Sequence, residues 1–95
     1  MKNLLISEEV LKKLSEKTPP VSRNEVEHCF SNRVKGLLID SRANNQTTPP
    51  TLWFLAPTNK RRILKVVYIQ REQIIHLRTA YDPNPEEERI YQQYA

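Results

Sequence analysis

Glycine, cysteine, methionine and tryptophan occur once each in this chain of 95 residues. One glycine excludes a glycine-rich loop that cradles phosphate. One cysteine, Cys29, excludes an internal disulfide and fits a reducing compartment. With 2 histidines it gives no zinc-ligand spacing, and the acids show no metal-ligand spacing either. No apolar run approaches the ~20 residues of a membrane span. The opening MKNLLISEE has too short an apolar stretch, and no cleavage pattern, for a signal peptide. The expectation is a cytoplasmic protein with no membrane partner, no metal and no cofactor.

The length predicts one domain over residues 1–95. A chain this size buries about two thirds of its unfolded surface. That is enough for one sheet with helices on one face, but not for a large cofactor cleft. The net charge of +4 and pI near 9.4 point to an acidic partner. Nucleic acid is the first candidate and an acidic protein the second. The charge is concentrated: between positions 60 and 78, Lys60, Arg61, Arg62, Lys65, Arg71 and Arg78 face the single acid Glu72, a local excess of +5.

Thr51 to Tyr81 organises the rest. It holds three apolar runs, Leu52–Ala56, Ile63–Ile69 and Ile74–Leu77, rich in the β-branched and aromatic residues that suit a pleated surface. Short connectors around Pro57–Lys60 and Arg71–Gln73 predict an antiparallel meander. Neither connector contains Asn-Gly or Asp-Gly, so turns of three to five residues are expected. Leu37–Ile39 is a further short strand, and Ser41–Pro50 reads as a mobile loop.

Helices flank the meander. Ser7, then Glu8 and Glu9, then Val10, Leu11 and Leu14 mark a capped helix from about Glu8 to Lys17, with Ile6 and Leu11 as a staple. Thr18-Pro19-Pro20 ends it. Ser22 and Glu25 form a capping box, with Val21 and Val26 as its staple, opening a helix from Arg23 to about Asn32. Asn84 caps a last helix with Pro85 at its first position, and Ile90, Tyr91 and Tyr94 form its contact stripe. The predicted fold is α+β, in the order α-α-β-β-β-β-α, with a four-stranded, mainly antiparallel sheet.

Metal-independent RNA cleavage needs a base, an acid and cations for the phosphorane charge. His76 and Arg78, two apart on a strand, share a face and suit an acid–base group and a phosphate clamp, with Ile75, Leu77 and Thr79 toward the core. Alternation alone also predicts polar residues there. Tyr81 can stack on a base or donate a proton. Lys60, Arg61, Arg62, Lys65 and Arg71 are the candidate phosphate contacts, although Lys65 equally suits an ordinary outward position. Trp53 reads as core, and Cys29 as a small hydrophobe on its helix stripe.

Several stretches resemble BrnT-type bacterial toxins. Lys13 to Phe30 is similar to that family's opening helix, turn and second helix, although Pro19 and Pro20 replace the usual turn. Val66-Val67-Tyr68, Arg71, Ile75 to Ala80, and Glu88-Arg89 with Tyr91 match its later strands and closing helix. The likeness covers about positions 10 to 94. It implies a compact fold akin to RelE-type ribonucleases, inhibition of translation through RNA or the ribosome, and a cognate antitoxin. A homodimer is a further option. Thr79 to Pro85 departs from the pattern and lacks an arginine near position 81. That departure favours the alternative of a non-catalytic binding or regulatory protein on the same scaffold. Proteins with similar endings often carry the label ADP-ribosyl-(dinitrogen reductase) hydrolase. Such hydrolases hold a metal pair with several carboxylates in a larger helical fold, so this alternative ranks lowest.

Overall fold

A computed structural model describes residues 1–42 and 47–95. The described part of the expected Ser41–Pro50 loop has no regular structure, and its residues 43–46 lie outside the described residues. The described elements are β1 (Leu4–Leu5), α1 (Glu8–Ser15), α2 (Arg23–Asn32), β2 (Leu38–Ile39), β3 (Thr51–Pro57), β4 (Ile63–Arg71), β5 (Ile74–Tyr81) and α3 (Pro85–Tyr94). They form an α+β structure around a mixed five-stranded sheet in the order β1-β5-β4-β3-β2.

The meander is present, but four antiparallel strands was an undercount. Leu4 and Leu5 add a fifth strand, parallel to β5, with Leu4 opposite Ile75 and Leu5 opposite His76. Two residues are too few to show a period, and their partners lie some seventy positions away.

The capping chemistry works as the residues dictate. Ser7 accepts from the Val10 N–H, and Ser22 and Asn84 each close a reciprocal box with the glutamate three positions on. In α1, Leu14 is buried and Val10 packs on the core, while Leu11 is 42% exposed, so the Ile6–Leu11 staple does not form a buried pair.

Both hairpin turns bend without glycine. In the β3–β4 turn, buried Thr58 accepts from the Lys60 and Arg62 N–H groups, its own N–H bonds the Arg62 carbonyl, and Arg61 takes the left-handed φ of 68°. The β4–β5 turn is tighter than expected. Arg71 pairs with Ile74, so Glu72 and Gln73 alone make the bend, with Glu72 at φ 58°.

The register sorts the side chains into two faces, and helices cover both, rather than one. Phe54, Val66, Tyr68 and Leu77 point toward α1 and α2. There Phe30 meets the Phe54 ring edge-on at 5.0 Å and the Tyr68 ring at 5.3 Å. Cys29 donates to the Ala56 carbonyl at 3.3 Å, and Val26 and Cys29 are fully buried. The other face carries Trp53, Lys65, Val67 and Tyr81. Here α3 docks, with Tyr91 5.7 Å from the Trp53 ring and its hydroxyl donating to the Gly36 carbonyl at 2.8 Å. Among the described residues no helix is long and apolar enough to cross a membrane.

Candidate functional site

The candidate site residues divide according to strand register. Opposite β4, Val67 pairs with Thr79 but Tyr68 pairs with Leu77, so Arg78 is an extra residue in β5. Such a bulge twists the strand and resets its alternation. The buried positions are therefore Ile75, Leu77 and Ala80. Thr79, expected in the core with Leu77, turns to the opposite face. The bulge presents Arg78 to solvent beside half-buried His76. Both line a depression of about 430 Å³ with Ser7, Glu9, Val10 and Lys13, contributed by the start of α1. His76 and Arg78 are thus brought together, and Lys13, paired with Glu9 at 3.5 Å, adds a second cation that sequence spacing could not have placed there.

Tyr81 is not part of this group. It lies opposite Lys65 while His76 lies opposite Ile69, four positions along β4 and about 13 Å away. Its hydroxyl donates to Glu87 Oε2 at 2.7 Å. Burial, and then the Glu87 carboxylate, push the Tyr81 phenol far above its ordinary range.

Lys65 is neither outward nor open to solvent. It is 5% exposed, and its ammonium donates to the same Glu87 oxygen at 2.6 Å while lying 4.4 Å from the Trp53 ring centre. Burial alone would raise the Glu87 carboxyl. Hydrogen bonds from Lys65, the Asn84 backbone and Tyr81 outweigh it and hold the group below the usual carboxylate value. Asp40, 5% exposed, sits in the same region and accepts from the Arg42 backbone and guanidinium. Those Arg42 bonds, acting against burial, lower its carboxyl.

Arg62 is also turned inward. Its guanidinium donates to Asp82 at 2.8 Å, to Glu25 at 3.1 Å, and to the Pro20 and Pro19 carbonyls at 2.7 and 2.8 Å. It ties the proline turn, the start of α2 and the exit from β5 together, and has little left for a phosphate. Lys60 and Arg61 are exposed on the β3–β4 turn, and Arg71 is exposed at the other end of β4. Nine residues of extended strand separate these ends by about 30 Å. The local excess of positive charge is therefore four exposed cations at three separate places, Lys60 with Arg61, Arg71 and Arg78, plus two internal ties, rather than one basic patch.

Burial, with a smaller push from the Glu25 charge, moves the Cys29 thiol up to about 12, so it is no nucleophile. Among the described residues no group of three or more His, Cys, Asp or Glu is placed to hold a metal ion. The arrangement best suited to chemistry on a phosphodiester is His76 with Arg78 and Lys13. No protein-family model matches the chain, and neither a curated protein nor a solved structure matches it.

Proposed function

We propose that the chain is the toxin half of a bacterial toxin–antitoxin pair that acts on RNA through the β5 depression, and that a cognate antitoxin holds it inactive. The class comes from the BrnT-like resemblance of the sequence. The observation that supports it best is the bulge in β5, which sets a solvent-facing arginine beside a partly shielded histidine. His76 would take the 2′-hydroxyl proton, and Arg78 with Lys13 would carry the charge of the phosphorane.

A second reading has its own support. Tyr81, Lys65 and Arg62 are committed to carboxylates, and Glu9, the other acid–base group lining the depression with His76, is paired with Lys13. The same scaffold would then bind RNA without cutting it.

Expression in a bacterial host separates the two. A cleaving toxin arrests growth, and His76→Ala or Arg78→Ala relieves the arrest at unchanged protein level. A binding protein causes no arrest and shows RNA affinity that falls steeply with salt.

A further inference from the structure

A second pocket opens on the α3 side of the sheet, and the proposed function leaves it unused. Its volume is about 380 Å³, within the range of about 300–1,000 Å³ typical of small-molecule sites. Trp53, Arg42, Lys65, and Ile90 and Tyr94 of α3 line it, together with the Asp40 and Glu87 carboxylates that pair with Arg42 and Lys65.

Three features together define what such a pocket would hold. Arg42 is 60% exposed, yet Asp40 fixes its guanidinium at Nε and Nη2. Its Nη1 has no partner among the described residues, so a solvent-facing donor is held ready for an anion. An arginine already held in place loses less freedom on binding a phosphate. Next, the buried Lys65 ammonium has three N–H donors and gives one hydrogen bond, to Glu87. Last, Tyr94, which lines the pocket, is 66% exposed. Trp53 offers little stacking surface, because Lys65 lies over its ring and Tyr91 packs 5.7 Å away. Tyr94 is the ring left for a flat partner. An exposed aromatic, an apolar wall and a fixed arginine suit a ligand that joins a flat heterocycle to a phosphate.

We infer that this pocket binds a nucleotide, with the base against Tyr94 and Ile90 and the phosphate at Arg42. The inference rests on the reading of the protein as RNA-directed, and it adds a binding point on the α3 side of the sheet. The nucleotide is either a free nucleoside monophosphate or one unpaired residue of an RNA strand.

The chain's single tryptophan, Trp53, lines the pocket, so its emission reports occupancy. Wild-type protein is titrated with the four nucleoside 5′-monophosphates, the matching nucleosides, and a short single-stranded oligoribonucleotide. Saturable change with the phosphate-bearing ligands is expected. Saturation by monophosphates identifies the free nucleotide as sufficient, and saturation by the oligonucleotide alone identifies a residue within a strand. Arg42→Gln and Tyr94→Ala should each weaken monophosphate binding by about tenfold or more, while Arg71→Ala, exposed at the far end of β4, retains it. Tyr94→Ala removes nothing from the core, and a melting curve verifies that Arg42→Gln is folded.

The inference is overturned if no phosphate-bearing ligand saturates, or if folded Arg42→Gln and Tyr94→Ala bind as wild type does. A protein that arrests growth but is silent in this titration refutes the pocket alone. One that binds nucleotides here but neither cleaves nor binds longer RNA refutes the RNA reading alone.

Discussion

Arg61 and Arg62 are neighbours in one basic turn, and the structure gives them opposite roles. Arg62→Ala removes two hydrogen bonds to carboxylates and two to carbonyls from a side chain only 19% exposed. Bonds involving charged groups contribute about 1.5–3 kcal/mol each. The four are not additive, because they share one guanidinium and Asp82 is half exposed. A total loss of about 2–4 kcal/mol follows, since Glu25 and two proline carbonyls are left facing a void or water. For a chain of this length that corresponds to a fall in Tm of roughly 10–20 °C. Arg61→Ala removes an exposed side chain and keeps the backbone as it is, so it should stay within about 0.5 kcal/mol of wild type. Urea unfolding followed by circular dichroism measures both. Equal stability of the two variants, or a loss below about 0.5 kcal/mol in Arg62→Ala, would show that the guanidinium does not tie these segments together.

Other perturbations test the α3 docking and the candidate site. Lys65→Met leaves the Glu87 carboxylate largely buried without its cation and should cost about 2–4 kcal/mol, whereas adding Glu87→Gln should recover at least about 1 kcal/mol. A double variant no more stable than Lys65→Met would contradict the pairing. Glu87, Asp40 and Glu25 are all held below their ordinary values, so their contribution is complete above the unfolded-state values and is lost as pH falls through the folded ones. Stability should therefore be level near neutrality and decline below the ordinary glutamate value of 4.5, as acid titration of the unfolding midpoint will show. Cys29 should resist thiol reagents in the native protein and react at once in denaturant, and rapid native labelling would contradict its burial. Tyr81→Phe loses one hydrogen bond to Glu87, about 1–2 kcal/mol, yet any RNA cleavage should remain within about twofold of wild type because Tyr81 lies ~13 Å from His76 along the sheet. A folded Tyr81→Phe protein that has lost cleavage would return Tyr81 to the site.

Local chemistry made much of the fold readable. The caps at Ser7, Ser22 and Asn84, the break at Pro19-Pro20 and the apolar runs from Leu52 onward each carry their signal within a few residues. Missing were the pairings that span the chain. Leu4–Leu5 becomes a strand only because β5 lies beside it. Nothing near Lys65 indicates Glu87, 22 positions away. The candidate site was legible to the same degree. His76 and Arg78 do come together, although a bulge presents Arg78, and strict alternation misplaced Thr79. Positive charge in sequence could not distinguish Arg61, which faces water, from Arg62, whose donors are spent on internal oxygens. Arg42 and Asp40 stood out in no sequence pattern, and the pocket they line with Ile90 and Tyr94 exists only once α3 docks on the sheet.

The central claim is that His76 and Arg78 act on RNA from the β5 depression. The most direct test incubates a defined mRNA, with and without ribosomes, with purified wild-type protein and with His76→Ala and Arg78→Ala variants of matched thermal stability. The account predicts cleavage by wild type that falls by about a hundredfold or more in each variant. Cleavage undiminished in both folded variants, or no cleavage by folded wild-type protein in either setting, would contradict it.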